Sequence, residues 1–139
     1  MRQTFGGIHT EQPNSPYGGI IMLQFIRDGE SVLVRLTGEL DHCCCQQVRR
    51  ELDALIAQPG VKTLILDFSA LQFMDSSGIG VMLGRYRLMR DKGGAMAVIH
   101  MNPLVTRIFR MAGLDRVIRN MDASPKGQNR KMPQEVPSR

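Results

Sequence analysis

The chain has 139 residues, enough for one domain of ordinary size, and aliphatic side chains with ten Met must fill its core because Trp is absent. No apolar run reaches the roughly 18–20 residues of a membrane span and no signal peptide is apparent, so we expect a cytoplasmic protein without a membrane partner. The net charge of +5 is dispersed and lacks an aromatic platform, which argues against direct binding of nucleic acid.

Both end segments of the chain have the composition of unfolded sequence. Residues 1–19 combine Gly and Pro with few apolar side chains, which predicts a flexible leader. Residues 122–139 place Pro, Gly and basic side chains among polar ones, which predicts a basic, disordered tail. We therefore expect the folded domain over residues 20–121.

The first predicted elements are two strands and a helix. Residues 20–27 are apolar enough for a strand, and residues 32–37 alternate as a second strand does. The short turn between them predicts an antiparallel hairpin. Asp41 then stands where a side chain can cap a helix. Apolar residues at helical spacing follow it: Val48, Leu52, Leu55 and Ile56.

The middle of the chain predicts a strand, a helix and another strand. Residues 61–68 hold consecutive apolar side chains, as a central strand buried on both faces does. A helix is predicted over residues 77–90 and a fourth strand over residues 95–100. The expected buried face of that helix consists of Ile79, Met82, Leu83, Tyr86 and Met89.

A third helix and a short strand complete the predicted domain. Asn102 and Pro103 suit the cap and the first residue of a helix, and residues 117–118 favour a short last strand. The apolar residues of the helix are Val105, Ile108, Phe109 and Met111. The order β-β-α-β-α-β-α-β predicts an α/β fold. We expect a mixed, mostly parallel sheet of four to five strands, with the initial antiparallel hairpin and helices packed on it.

The segment Asp75-Ser76-Ser77-Gly78 lies where a strand passes into a helix. A catalytic serine needs a base within hydrogen-bond reach, and the histidines of the chain are His9, His42 and His100. His9 falls in the predicted leader and His100 at the end of a strand. Neither the G-x-S-x-G elbow nor a phosphate-binding loop is present. We predict no catalytic residues and no enzymatic activity.

Two other roles for this segment stay open. Asp75 and Ser76 can simply cap the helix. Alternatively, the serine is a phosphate acceptor, because the helix dipole and N-terminal amides favour a negative group there. If the strands before Asp41 and Asp75 are parallel neighbours, both acidic turns share one edge of the sheet. A phosphate would then add like charge to a surface that a partner binds.

Three cysteines are consecutive in the sequence: Cys43, Cys44 and Cys45. Neighbouring residues point in different directions, so they cannot bind one metal ion as a C-x-x-C pair does, nor form a set of mutual disulfides. We predict small, partly buried side chains in a reduced compartment, and neither a metal nor a cofactor.

Several motifs resemble those of a known family. Residues 38–42 (GELDH) and 73–86 (FMDSSGIGVMLGRY), with Gly93-Gly94 and residues 111–114 (MAGL), are similar to the anti-sigma factor antagonists of the STAS domain family. Within that family the similarity is greatest to the stage II sporulation AA type. The resemblance covers residues 20–121 and implies the STAS fold.

The resemblance also implies a mode of action. The unphosphorylated protein would bind an anti-sigma factor that is also a serine kinase, which releases a sigma factor. The kinase would phosphorylate Ser76 and so end the interaction, and a serine phosphatase would restore it. ATP would belong to the kinase. The residues implied in partner binding are Asp41, Asp75, Ser77, Gly78, Ile79 and Arg85.

Two features depart from the family pattern. Cys43-Cys44-Cys45 stands where the family more often has His, Thr or Ala, and no apolar stripe marks a closing helix in residues 122–139. The cysteines and the basic tail motivate an alternative function. In that alternative the chain is a STAS scaffold or ligand-binding module of a larger signalling assembly.

Overall fold

The computed structural model of this chain describes residues 6–11 and 20–122. Within these residues one sheet contains six strands in consecutive order. The elements are β1 (Gly6–Glu11), β2 (Ile20–Asp28), β3 (Ser31–Leu40), α1 (Cys45–Ile56), β4 (Thr63–Met74), α2 (Ser76–Asp91), β5 (Ala95–Ile99), α3 (Pro103–Met111), a 3-10 helix (Leu114–Arg116) and β6 (Arg119–Asn120).

The sheet is mixed, as the sequence predicts. β2 pairs antiparallel with β3, and β3, β4, β5 and β6 pair in parallel. β1 is an addition, because it pairs antiparallel with β2 inside the segment predicted to be a flexible leader. The leader prediction is therefore corrected for residues 6–11. Its remaining residues, and the predicted tail from residue 123 onward, lie outside the described residues.

One face of the sheet carries the core. Right-handed crossovers between parallel strands that follow one another in order place the connecting helices on the same face. Along β3, Val32, Val34 and Leu36 are completely buried, whereas Leu33 and Arg35 on the other face are half-buried. The alternation predicted for this strand thus marks the covered face and the more open face.

β4 continues past its predicted end at residue 68 to Met74, and it contains two irregularities. Its register against β3 shifts between the pairs Arg35–Asp67 and Thr37–Ala70, and again before Glu39 pairs with Phe73. Each shift adds a residue to β4 relative to β3, as a β-bulge does. The two strands nevertheless end level, with Leu40 opposite Met74, and this equal ending positions the candidate functional site.

The helices agree with the sequence pattern to different degrees. The predicted stripe of α1 is buried, as are Val105 and Phe109 of α3. Asn102 caps α3 through Oδ1, which accepts a hydrogen bond from the Val105 amide at 2.7 Å, as predicted. Met111, the last of the four apolar residues named for this helix, is 79% exposed and does not join the core. The last strand begins two residues later than predicted, because residues 117–118 form a turn and a bend after the 3-10 helix.

Candidate functional site

The candidate site lies where β3 and β4 end side by side. Leu40 and Met74 are register partners, and the Asp75 amide donates a hydrogen bond to the Leu40 carbonyl at 3.2 Å. Asp41 and Asp75 therefore begin two adjacent turns at one edge of the sheet. The prediction that both acidic turns share an edge is confirmed.

Asp75 is the residue that joins the two turns. Its Oδ1 accepts hydrogen bonds from the amides of Ser77 at 2.8 Å and Gly78 at 3.2 Å, which makes it the N-cap of α2. Its Oδ2 accepts a hydrogen bond from the amide of His42 at 3.2 Å. The capping role predicted for Asp75 is confirmed, and the same carboxylate also holds the turn that follows β3.

Ser76 is the first residue of α2 and is exposed, whereas Ser77 is half-buried. The hydroxyl of Ser76 therefore lies at the positive end of a helix dipole and is accessible from solvent. The amides of Ser77 and Gly78 already donate to Asp75, so they are not available to a group attached to Ser76. A phosphate on Ser76 would interact favourably with the helix dipole and would remain on the surface.

Asp41 does not cap α1, contrary to the prediction. Its Oδ1 accepts a hydrogen bond from the Cys43 amide at 3.0 Å, and its carbonyl accepts from Cys44 and Cys45 at 3.3 and 3.2 Å. The N-cap of α1 is Cys44, which makes no capping bond through its side chain. Asp41 instead stabilises the turn before the helix, since a short carboxylate bonds readily to the amide two residues on.

His42 belongs to the site although the sequence assigned it no role. Its side chain is exposed, with Nδ1 3.7 Å from Oδ2 of Asp75 and Nε2 3.7 Å from Sγ of Cys43. The sequence feature that could have indicated this is the position of His42 directly after Asp41, at the end of a parallel strand. We call Asp41, His42, Asp75 and Ser76 the paired-turn surface.

Gly78 and Ile79 lie just inside the helix, behind the paired-turn surface. Gly78 is buried, and a Cβ atom on it would lie 2.8 Å from the carbonyl oxygen of Leu40 and 3.0 Å from Cβ of Met74. Gly78 is therefore needed for α2 to approach the end of β3. Ile79 is half-buried and packs against the core, so both residues support the surface from below.

Arg85 is placed apart from the other predicted partner-binding residues. It is 7% exposed, and its Nε lies 2.8 Å from Oδ1 of Asp53, so the pair connects α2 with α1. Burial lowers the pKa of the Arg85 guanidinium, and the Asp53 carboxylate opposes that shift. The buried face of α2 includes Arg85 with Gly78, Val81, Met82 and Met89, whereas Ile79, Leu83 and Tyr86 are only partly buried.

The three cysteines have different surroundings, and none forms a disulfide. Cys44 and Cys45 are buried, and burial is the largest cause that raises their pKa values to about 11 and about 12. The Cys44 thiol donates a hydrogen bond to the Glu39 carbonyl at 3.3 Å. Cys43 is half-buried and lies beside His42. Partial burial, as predicted, therefore describes Cys43 only.

Two further properties of the described residues concern metal ions and membranes. Over residues 6–11 and 20–122, no three His, Cys, Asp or Glu side chains are grouped so that they could hold a metal ion. No helix in the same residues has both the length and the apolar composition to cross a membrane.

Comparison with known proteins defines the family. Residues 22–126 match the STAS domain, so the chain belongs to the STAS domain family. An anti-sigma F factor antagonist of Paenibacillus polymyxa is 47% identical over 87 residues, which are 63% of this chain and 74% of that protein.

Solved structures of the same kind share the fold. The anti-sigma factor antagonist SpoIIAA in its unphosphorylated form is 34% identical with a TM-score of 0.59, over 76% of this chain and 93% of that one. The Bacillus cell fate determinant SpoIIAA in the phosphorylated form is 34% identical with a TM-score of 0.58, over 76% and 95%.

Proposed function

We propose that this chain is an anti-sigma factor antagonist. Its unphosphorylated form binds an anti-sigma factor with serine kinase activity and thereby releases a sigma factor. Phosphorylation of Ser76 by that kinase ends the interaction, and a serine phosphatase restores it. The relative named an anti-sigma F factor antagonist supports the class, and the phosphorylated form of SpoIIAA supports a phosphate switch.

The observation that carries this proposal is the exposure of Ser76 on the paired-turn surface. The Asp75 carboxylate occupies the amides of Ser77 and Gly78, so a phosphate stays outside the helix end. It adds a charge of roughly −1.5 to −2 beside Asp75 and the Asp41 turn. A partner that fits the unphosphorylated surface then meets new negative charge and a bulky group, which weakens binding without unfolding the domain.

The structure also favours Ser76 over Ser77 as the acceptor. Ser76 is exposed at the first position of α2, and Ser77 is half-buried with its amide bonded to Asp75. A kinase must bring its ATP to the hydroxyl, so the exposed side chain is the accessible one. Asp41 and Asp75 hold the two turns around it and form the contact surface for the partner.

The test uses the full chain and an anti-sigma factor kinase from the same organism. With ATP and Mg²⁺, one phosphate is expected on Ser76, located by mass spectrometry of the digested protein. Ser76→Ala removes it, and Ser77→Ala, the matched control, retains it. Unphosphorylated chain and Ser76→Ala bind the kinase in calorimetry, whereas Ser76→Asp binds at least about tenfold more weakly, a change of about 1.4 kcal/mol.

Two results would contradict the proposal. One is the absence of phosphate on Ser76 when the same kinase preparation phosphorylates another substrate. The other is equal binding of Ser76→Ala and Ser76→Asp under all conditions, since a charge switch requires the two variants to differ.

A further inference from the structure

The run of three cysteines contains one thiol that differs from its neighbours. Cys44 and Cys45 are 1% and 4% exposed, and their raised pKa values keep both protonated at neutral pH. A reagent in solution has little access to either sulfur, and only a thiolate attacks well. Cys43 is half-buried and stands on the turn before α1, within reach of solvent. Reactivity in this run is therefore expected at Cys43.

An imidazole and a carboxylate lie in series beside the Cys43 thiol. Sγ of Cys43 is 3.7 Å from Nε2 of His42, and Nδ1 of the same ring is 3.7 Å from Oδ2 of Asp75. In the tautomer that carries its hydrogen on Nδ1, the ring presents the lone pair of Nε2 to the thiol. A base close to a thiol is an arrangement that activates nucleophiles in proteins. The Asp41 carboxylate faces the same turn through its bond to the Cys43 amide.

We propose that Cys43 is a site of reversible S-thiolation by low-molecular-weight disulfides, and that the adduct blocks the paired-turn surface. The second half of this inference rests on the proposed function, because it concerns binding of the kinase. The first half concerns the chemistry of this chain alone.

The exchange balances without a further oxidant. His42 accepts the thiol proton, and the Cys43 sulfur attacks one sulfur of the small disulfide. The original S–S bond breaks, a bond between Cys43 and the attacked sulfur forms, and the other half leaves as a thiolate that takes the proton. One thiol and one disulfide become one mixed disulfide and one thiol. A cellular thiol reverses the step by the same route.

The position of Cys43 explains why an adduct would affect binding. Cys43 follows His42, whose amide is bonded to Asp75, and Asp75 precedes Ser76. A glutathionyl group there would add bulk and net negative charge to the turn that forms half of the paired-turn surface. Cys44 cannot readily resolve the adduct, because its thiol is buried and donates to the Glu39 carbonyl.

The first experiment measures the chemistry with glutathione disulfide and the reduced full chain. We expect one glutathione per chain, located on Cys43 by fragmentation of the digested peptide, and none in Cys43→Ser. His42→Gln should slow the reaction by about tenfold, because the ring no longer accepts the proton. Circular dichroism confirms that both variants are folded. Adducts on Cys44 or Cys45, or an unchanged rate in His42→Gln, would overturn the assignment.

The second experiment measures binding of the anti-sigma factor kinase by calorimetry. The glutathionylated chain should bind at least about tenfold more weakly than the reduced chain, and dithiothreitol should restore binding. Cys43→Ser treated with the same disulfide is the control and should keep full affinity. Equal affinity of the reduced and glutathionylated chains would overturn the proposal that the adduct blocks the paired-turn surface. If the reduced chain fails to bind the kinase, the proposed function is overturned, and the proposed effect of the adduct on binding falls with it. The labelling experiment tests the chemistry at Cys43 independently of that outcome.

Discussion

The amide of His42 donates a hydrogen bond to Oδ2 of Asp75 at 3.2 Å, while Oδ1 of Asp75 caps α2. One carboxylate thus connects the turn after β3 with the first turn of α2. Because the two oxygens serve different elements, loss of this side chain should loosen the helix end and release the neighbouring turn together.

Asp75→Ala should therefore destabilise the fold and impair the surface. The loss of an N-cap lowers the free energy of unfolding by about 0.5–2 kcal/mol, measured by urea denaturation. Phosphorylation of Ser76 and binding of the kinase should fall as well. Asn102→Ala is the matched control, since Asn102 caps α3 through the Val105 amide. If Asn102→Ala reduces phosphorylation equally, the effect of Asp75 is one of general stability.

Gly78 should not tolerate even a methyl group. Gly78→Ala places Cβ 2.8 Å from the Leu40 carbonyl oxygen, so α2 must move away from the end of β3. Overpacking of this kind costs about 1–3 kcal/mol. Gly80→Ala is the control two residues on, where an added Cβ meets nothing within 4 Å. It should be neutral or stabilising by up to about 1 kcal/mol, because Ala favours the helix. Thermal unfolding of both variants measures the difference, and equal melting temperatures would contradict it.

Local chemistry was predictable because it depends on residues that are close in sequence. Asp75 precedes Ser and Gly at a helix start, and Asn102 precedes Pro103, so both caps follow from known preferences. The order of strands and helices along the chain follows similarly from the spacing of apolar residues and the short connections. A cap at Asp41 follows from the same preferences, and it is wrong because residues 42–44 form a turn before α1 begins.

Tertiary relationships were not predictable from the same patterns. The contact between His42 and Asp75 depends on the register of β3 against β4, which two irregularities in β4 determine. A strand pattern does not show where an extra residue is inserted. The resemblance implies that Arg85 contacts a partner, and only the packing of α2 on α1 places it opposite Asp53.

We expect the ion pair between Arg85 and Asp53 to stabilise the fold. Asp53→Ala leaves the Arg85 guanidinium buried without its partner, whereas Arg85→Met removes the charge and keeps most of the volume. We expect Asp53→Ala to lower the free energy of unfolding more than Arg85→Met does. The loss in free energy of unfolding caused by Asp53→Ala should be smaller than the about 3–5 kcal/mol lost when a fully buried pair is broken, because the Asp53 side chain is 43% exposed. Urea denaturation of both variants checks this order.

The same Arg85→Met variant tests whether Arg85 contacts the partner. If Arg85 acts only between the helices, kinase affinity in calorimetry should equal that of the unmodified chain. A loss of tenfold or more in a folded Arg85→Met protein, about 1.4 kcal/mol, would instead assign a direct contact to this side chain.

Asp67 should make stability depend on pH in the acid range. Burial alone raises the pKa of Asp67, but hydrogen bonds from the amide and hydroxyl of Ser69 and the Arg35 guanidinium outweigh it, so the pKa lies below the ordinary 3.8. Because the folded pKa is depressed, the stabilisation is present above the unfolded value and is lost as pH falls through the folded value.

The variant Asp67→Asn isolates this contribution. Between about pH 5 and about pH 2, its stability should fall less steeply than that of the unmodified chain, because its side chain does not titrate. Arg35→Gln should give an intermediate slope, since the amide of Ser69 still donates to Asp67 at 2.9 Å. Parallel slopes for all three proteins in urea denaturation would show that Asp67 is not linked to acid unfolding.

The proposed switch at Ser76 should act through charge and not through unfolding. Ser76 is the first residue of α2, where a negative group interacts favourably with the helix dipole. The free energy of unfolding of Ser76→Asp should therefore equal that of the unmodified chain or exceed it by about 0.3–1 kcal/mol. Ser76→Asn has nearly the same shape without the charge, so it should fold equally and keep its affinity for the kinase. A fall in the melting temperature of Ser76→Asp below that of Ser76→Asn, parallel to its loss of affinity, would mean that the negative group disrupts α2. The two variants together thus separate repulsion at an intact surface from local unfolding.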